Sequence, residues 1–289
     1  MSDPAPRFMS AAPPESQRGQ RRTPAATRTP PASGGLSAAL LSRATIGPGI
    51  VDLYFAMRDP PRLQFRAGQF VSIGLGGNGN GKGKGMEGAP GERGAAPGLV
   101  ARRSYSIASP SDAGDRLRFI IKVIPNGAAS DFLMSLSPGD EVRMTGPHGF
   151  FVLDAQHAGD VIFGATGTGV SAVMPMLHEL AAQPEPGRRV LYWGVRHEED
   201  LFARAEIEDL CRQARCELRL FLTRPGPGWA GGQGRITAAV LDDYKRLPDP
   251  ASPTFYLVGN GTMIAELKRG LIALGVNRKK QIRTEAFFD

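Results

Sequence analysis

The stretch Asp160–Gly169, DVIFGATGTG, runs a short apolar segment into a glycine-rich turn. The residues beyond it, SAVMPMLHELAAQ, have the spacing of an amphipathic helix, so the turn links a buried strand to a helix start. Glycines there let the backbone approach a ligand closely, and the free amides of the helix start favour an anion such as a pyrophosphate. Thr166, Gly167, Thr168 and Gly169 are the candidate contacts. The spacing departs from G-x-G-x-x-G, so a tight turn without a ligand stands beside that reading.

Downstream the same alternation continues. RRVLYWGVR, CELRLFLTR and TFYLVGN read as strands, while LFARAEIEDLCRQA, RITAAVLDDY and GTMIAELKRGLIALG read as helices. Strands alternating with amphipathic helices predict a parallel sheet covered on both faces. The last central strand ends in Gly259-Asn260-Gly261, a second turn on the same sheet edge, where open α/β sheets bind ligands. Arg196, Arg224 with Thr223 beside it, and Arg235 follow strands or start helices on that edge. There a guanidinium can clamp phosphate oxygens bidentately, and three of them suggest an additional phosphate, NADP rather than NAD.

Upstream, from about Leu36, the texture is different. GIVDLYFAM, QFVSIGL, RSYSIAS, LRFIIKVI and DEVRMTG are short β-rich runs at close spacing, which predict an antiparallel barrel or sandwich with a short helix at 129–136. Residues 76–98 are too rich in glycine for a regular element and are expected to be a flexible insertion. The expected organisation is a tail at 1–35, an antiparallel β-barrel domain of Greek-key type at 36–155 and a parallel α/β domain at 156–289.

Two segments of the first half carry chemistry. Alternation along RRSYSIAS (102–109) puts Arg103 and Tyr105 on one strand face and Ser104 and Ser106 on the other. An arginine beside an aromatic ring suits a flat, phosphorylated cofactor, and an edge strand with a cation–π pair is the alternative. Downstream, Gly127-Ala128-Ala129-Ser130 places amides and a hydroxyl at a helix start, a second anion site.

Composition narrows the partners. The 289 residues carry a formal net charge of +7. Five arginines (Arg7, Arg18, Arg21, Arg22 and Arg28) against Asp3 and Glu15 put +3 of it in the Pro/Ala/Ser-rich tail, which is expected to be disordered. The remainder is mildly basic, which fits a local acidic docking partner better than a nucleic-acid groove. No apolar run reaches the roughly 20 residues of a membrane span, and the N-terminus lacks the order of a secretory signal, so no membrane association and a cytoplasmic monomer are expected. Cys211 and Cys216 form neither a CxxC pair nor an iron–sulfur pattern. They are expected to be free thiols, and no bound metal is expected.

From about residue 38 onward the chain resembles the ferredoxin–NADP reductase family of flavoproteins, most closely its bacterial ferredoxin/flavodoxin reductase branch. RSYS resembles that family's R-x-Y-S/T flavin motif and GAAS its pyrophosphate motif. TGTG resembles its nicotinamide-cofactor loop and YLVGNGTMI its last such loop, while LTR and GRIT resemble segments that hold the NADP 2′-phosphate.

The resemblance implies that Arg103 contacts the FAD pyrophosphate, Tyr105 packs on the flavin ring and ribityl, and Ser106, with Ile107 next to it, lies at the flavin N5 region. Lys122, Val123 and Gly127 to Ser130, Ala129 included, would line the rest of FAD. Thr166 to Gly169, Arg196, Thr223, Arg224, Arg235, Gly259 and Asn260 would hold NADP(H). Glu285 and Phe287 match the closing E-x-aromatic strand, which gives Glu285 a candidate proton or orienting role and puts Phe287 near the flavin.

The family usually has proline where Ala172 stands and cysteine where Val258 stands. The implied activity is electron transfer between NADPH and a ferredoxin or flavodoxin. A reductase component of a multi-protein oxygenase, possible with NADH, and a flavin-binding redox sensor with weak turnover remain open.

Overall fold

The computed structural model describes residues 35–76, 101–154, 159–183 and 187–287. All but Gly35 of the expected N-terminal tail and all but Gly76 of the expected glycine-rich insertion lie outside them.

Six antiparallel strands form the first sheet: β1 (Leu36–Gly47), β2 (Ile50–Asp59), β3 (Phe70–Gly74), β4 (Arg102–Ser106), β5 (Arg116–Lys122) and β6 (Glu141–His148). Their order is β4-β3-β6-β1-β2-β5. The two edge strands are brought together just past β4, where the Ala108 amide donates to the Arg118 carbonyl of β5 at 2.8 Å, while the Ile107 amide extends the β3–β4 pair by donating to the Gln69 carbonyl at 3.0 Å. The first bond gives the sheet its barrel-like closure. The interior is filled by Leu53, Phe55, Phe119, Val71 and Ile73, all fully buried, on alternate positions of their strands as the period of two requires.

β1 was not among the runs read as strands. Its sequence, LSAALLSRATIG, is dominated by Ala, Ser and Leu rather than β-branched or aromatic residues. It is nonetheless held between β2 and β6, with pairs such as Leu40↔Phe55 and Ala38↔Val142, because pairing partners override intrinsic strand preference. The short helix α1 spans Ala128–Ser135.

The second sheet is parallel, in the order β10-β9-β8-β7-β11-β12. Its strands are β7 (Val161–Thr166), β8 (Arg189–Val195), β9 (Glu217–Leu222), the two-residue β10 (Gly232–Gln233), β11 (Thr254–Asn260) and β12 (Ile282–Phe287). Helices α2 (Val170–Ala181) and α3 (Arg204–Gln213) cover one face; α4 (Ile236–Tyr244) and α5 (Gly261–Ala273) cover the other, and a last turn, α6 (Arg278–Gln281), leads into β12. Both faces are therefore covered, as the strand–helix alternation predicts. The core under α2 and α3 also takes in Ile50 and Ile120 of the first sheet, so the two halves share apolar contact. Cys211 and Cys216 are free and buried at the α3–β9 junction. Among the described residues no helix is long and apolar enough to cross a membrane.

Candidate functional site

The flavin-type motif and the last strand meet. Ser106, at the end of β4, is 8 % exposed, and its hydroxyl donates to Glu285 Oε1 of β12 at 3.1 Å, across 179 positions of sequence. Parallel pairing of β11 with β12 sets Glu285 opposite Val258, and β11 pairs Val258 with Ala165 of β7. Glu285 thus lies beside the strand that ends in the 259–260 turn and two strands from the one that ends in the 166–169 turn. Burial pushes the Glu285 carboxyl up to about 7 from 4.5, against the opposing pull of the Ser106 hydrogen bond. Gly149, at φ +101, helps to close the site: a Cβ there would lie 3.0 Å from the Phe70 ring and 3.7 Å from Glu285 Oε2.

Arg103 and Tyr105 sit on the other face of β4. Arg103 is exposed, and its Nη1 donates to the neighbouring Arg102 carbonyl at 2.8 Å, which leaves most of its donor fork facing solvent. Tyr105 is half-buried against the barrel core, and burial drives its hydroxyl up to about 12 despite Arg103, so it stays protonated. Ile107 is fully buried, so its side chain belongs to the barrel core and only its main chain can serve a ligand.

Lys122 and Val123 lie at the end of β5, where the Val123 amide is taken by the Gly49 carbonyl at 2.7 Å. The Ser130 hydroxyl accepts from the Ile124 amide at 2.8 Å, which leaves its O–H free to donate toward a ligand. Gly127 and Ala129 stand at the start of α1, which has no side-chain cap.

On the parallel sheet, Thr166 Oγ1 accepts from the Asn260 amide at 2.9 Å and ties the two turns together. Asn260 in turn caps α5 by accepting from the Met263 amide at 3.0 Å. Gly169 and Gly259 are needed for this close approach. A Cβ on Gly169 would lie 3.0 Å from Gly259 Cα, and one on Gly259, at φ +114, would lie 2.4 Å from Thr166 Oγ1. Gly167 differs: it has φ +54 and open space where a side chain would project.

Arg196, Thr223 and Arg224 are exposed beyond β8 and β9, joined by the Arg224 amide to the Arg196 carbonyl at 2.8 Å. Arg235 precedes α4 and reaches Glu266 at 3.5 Å. Phe287 pairs with Asn260 and packs on the core under α2.

Sequence reasoning missed three features. A cavity of about 260 Å³ is lined by His197, Glu198, Glu199, Arg224, Pro225 and Gly226, so acids stand with the arginine; the HEED that follows Arg196 carried that signal. A larger cavity of about 610 Å³, against β9 and residues 228–231, contains none of the predicted site residues. The Trp193 indole of β8 donates to the Gly167 carbonyl at 3.1 Å, a support that no motif shows.

The donor set fits a dinucleotide on each side: uncapped starts at α1 and α2, an exposed guanidinium on β4, and open space at Gly167. Residues 94–153 match the family described as "Oxidoreductase FAD-binding domain" and residues 163–269 the family described as "Oxidoreductase NAD-binding domain". Ferredoxin--NADP reductase B of Sorangium cellulosum (strain So ce56) is 33% identical over 250 residues, covering 84% of this chain and 93% of that protein. The chain belongs to the ferredoxin–NADP reductase family.

As a member of that family it is an oxidoreductase with FAD and a nicotinamide dinucleotide as cofactors, in line with the FAD and NADP(H) expected from the sequence. The reductase component DmpP of phenol 2-monooxygenase from Pseudomonas sp. (strain CF600) is 30% identical over 167 residues, 57% of this chain and 40% of that protein. The fold is shared with the crystal structure of Amycolatopsis cytochrome P450 reductase GcoB, at TM-score 0.72 and 24% identity, covering 92% of this chain and 73% of that one.

Proposed function

We propose that the protein passes electrons between NADPH and a ferredoxin or flavodoxin through bound FAD, with residues 36–155 holding FAD and 156–289 holding the nicotinamide dinucleotide. The observation that carries this reading is the Ser106–Glu285 hydrogen bond, which joins the flavin-motif strand to the last strand of the nicotinamide half beside the 259–260 turn. When bound, the flavin supplies acceptance of a hydride at N5 and release of electrons one at a time.

The chain's residues bind and orient. Arg103 would meet the FAD pyrophosphate with the donors its bond to Arg102 leaves over, Tyr105 would support the ring and ribityl, and the Ser106 hydroxyl would serve the N5 region. Lys122, Val123 and the amides from Gly127 to Ser130 complete the FAD site. The turn Thr166–Gly169, with Gly259 and Asn260, receives the nicotinamide end, while Arg196, Thr223, Arg224 and Arg235 meet the phosphates. Glu285, partly protonated near neutral pH, can hold or release a proton at its carboxyl next to Ser106.

A second reading is an NADH-dependent reductase component of an oxygenase. Glu198 and Glu199 favour it, because they line the cavity with Arg224 and would repel a 2′-phosphate.

Both readings are tested on the purified protein by its flavin spectrum, by ferricyanide reduction with NADPH and with NADH, and by turnover with ferredoxin and flavodoxin across a salt series. NADPH preference and salt-sensitive turnover with a carrier are expected. Strong NADH preference selects the second reading, and a colourless protein that FAD does not reconstitute defeats both.

A further inference from the structure

Hydride transfer depends on holding a nicotinamide turn of the second sheet against a flavin seat on the first, and a small misplacement costs much of the rate. Away from that seat, one buried cation joins the two halves. Arg118 of β5 is 8 % exposed. Its Nε donates to both Asp52 oxygens of β2 at 2.9 and 3.1 Å, and its Nη2 to Asp52 Oδ2 at 2.8 Å. It also grips Glu206 of α3, with Nη2 to Oε2 at 2.9 Å and Nη1 to Oε1. Burial opposes the charged guanidinium, but the bonds to Glu206 and Asp52 outweigh it and raise its pKa.

Asp52, only 9% exposed in its side chain, already neutralises Arg118. Glu206, at 43% side-chain exposure, is not needed to balance a buried charge, and a half-exposed ion pair adds little stability. What it adds is a tie between halves.

Both ends of that tie reach the reacting region. On the flavin side, the Arg118 carbonyl accepts from the Ala108 amide at 2.8 Å and its amide donates to Ser109 Oγ at 3.3 Å, just past Ser106. On the nicotinamide side, Phe202, shortly before α3, meets Trp193 edge-on at 5.4 Å, and Trp193 donates to the Gly167 carbonyl. Phe202 is also pressed against β1, 3.3 Å from where a Gly47 Cβ would lie.

We propose that Glu206, gripping Arg118, is a positioning residue that sets the Gly167 turn against Ser106 for hydride transfer. The inference rests on the reading of a nicotinamide dinucleotide as hydride donor to FAD.

The test is Glu206→Gln in the FAD-loaded protein. Anaerobic flavin reduction by NADPH is expected to slow about tenfold or more, in the limiting rate rather than in KM. FAD content, Tm and reduction by dithionite should stay at wild-type values, and Glu206→Asp should recover part of the rate. In a Trp229→Phe background, acrylamide quenching of Trp193 without coenzyme should rise, a readout independent of turnover. Wild-type reduction rate and quenching in the glutamine variant would overturn the proposal. So would loss of FAD or of Tm in step with the rate, which would make Glu206 merely structural. If the wild-type flavin is reduced by neither NADPH nor NADH, the proposed function itself fails.

Discussion

The Glu285 carboxyl gives a pH dependence whose sign is fixed by the structure. Its pKa is about 7 in the folded chain, against 4.5 when freely solvated. Between those values the folded chain keeps a proton that the unfolded chain has lost, so stability falls as pH rises through the window and is level above it. The whole shift corresponds to at most about 3.5 kcal/mol, at about 1.4 kcal/mol per pH unit. Residual solvent contact trims the expected loss to about 1–3 kcal/mol.

Glu285→Gln isolates the effect, because glutamine keeps an acceptor for Ser106 and never ionises. In urea unfolding of FAD-stripped protein followed by tryptophan emission, the variant should match the wild type near pH 4, below the window. By pH 8 it should be more stable by about 1–3 kcal/mol. Parallel stability curves for the two proteins across that range would refute the reasoning and return Glu285 to an ordinary surface acid.

The other predictions concern the cofactor seats. Arg103→Ala should raise the FAD dissociation constant by about tenfold or more while leaving the Tm of the stripped protein unchanged, and undiminished FAD retention on dilution would remove Arg103 from the site. Gly259→Ala should destabilise by about 2–4 kcal/mol through its clash with Thr166 and its positive φ. Gly261→Ala, whose Cβ meets nothing within 4 Å, should keep or slightly raise the Tm yet weaken coenzyme binding, so equal Tm losses in the two would contradict the geometry. Arg224→Ala should raise KM for NADPH by about tenfold to 100-fold with little change for NADH; equal effects on both would deny it a 2′-phosphate. Deleting Phe287–Asp289 should alter the relative use of NADPH and NADH, and unchanged kinetics with both would sink that role.

What the sequence disclosed follows from the range of each signal. The parallel sheet was legible because each strand–helix unit writes its own period and its own glycine turn within about 30 residues. The β4 motif was legible as a short pattern of charge, ring and hydroxyl. β1 escaped because Ala and Ser carry no strand preference, and its place came from pairing with β2 and β6. Gly169 and Gly259 were read as ligand-facing, yet each is also required by the other turn, which no local pattern reveals. The acids beside Arg224 were present in the text as HEED, but only the cavity shows that they face the same space.

The least legible residues bridge the halves. Arg118 and Glu206 lie 88 positions apart, Ser106 and Glu285 179 apart, and neither pair leaves a mark on local periodicity. Glu285 is raised because burial where the last strand meets the barrel rim outweighs the opposing hydrogen bond from Ser106. A proton poised near neutral pH is therefore a property of the closed arrangement, and any change that parts the halves should return the carboxyl toward 4.5. Glu206→Gln and the Glu285 titration thus report on one geometry from opposite ends. If weakening the Arg118 tie slows flavin reduction by opening the seat, the pH-dependent stability loss attributed to Glu285 should shrink in the same variant.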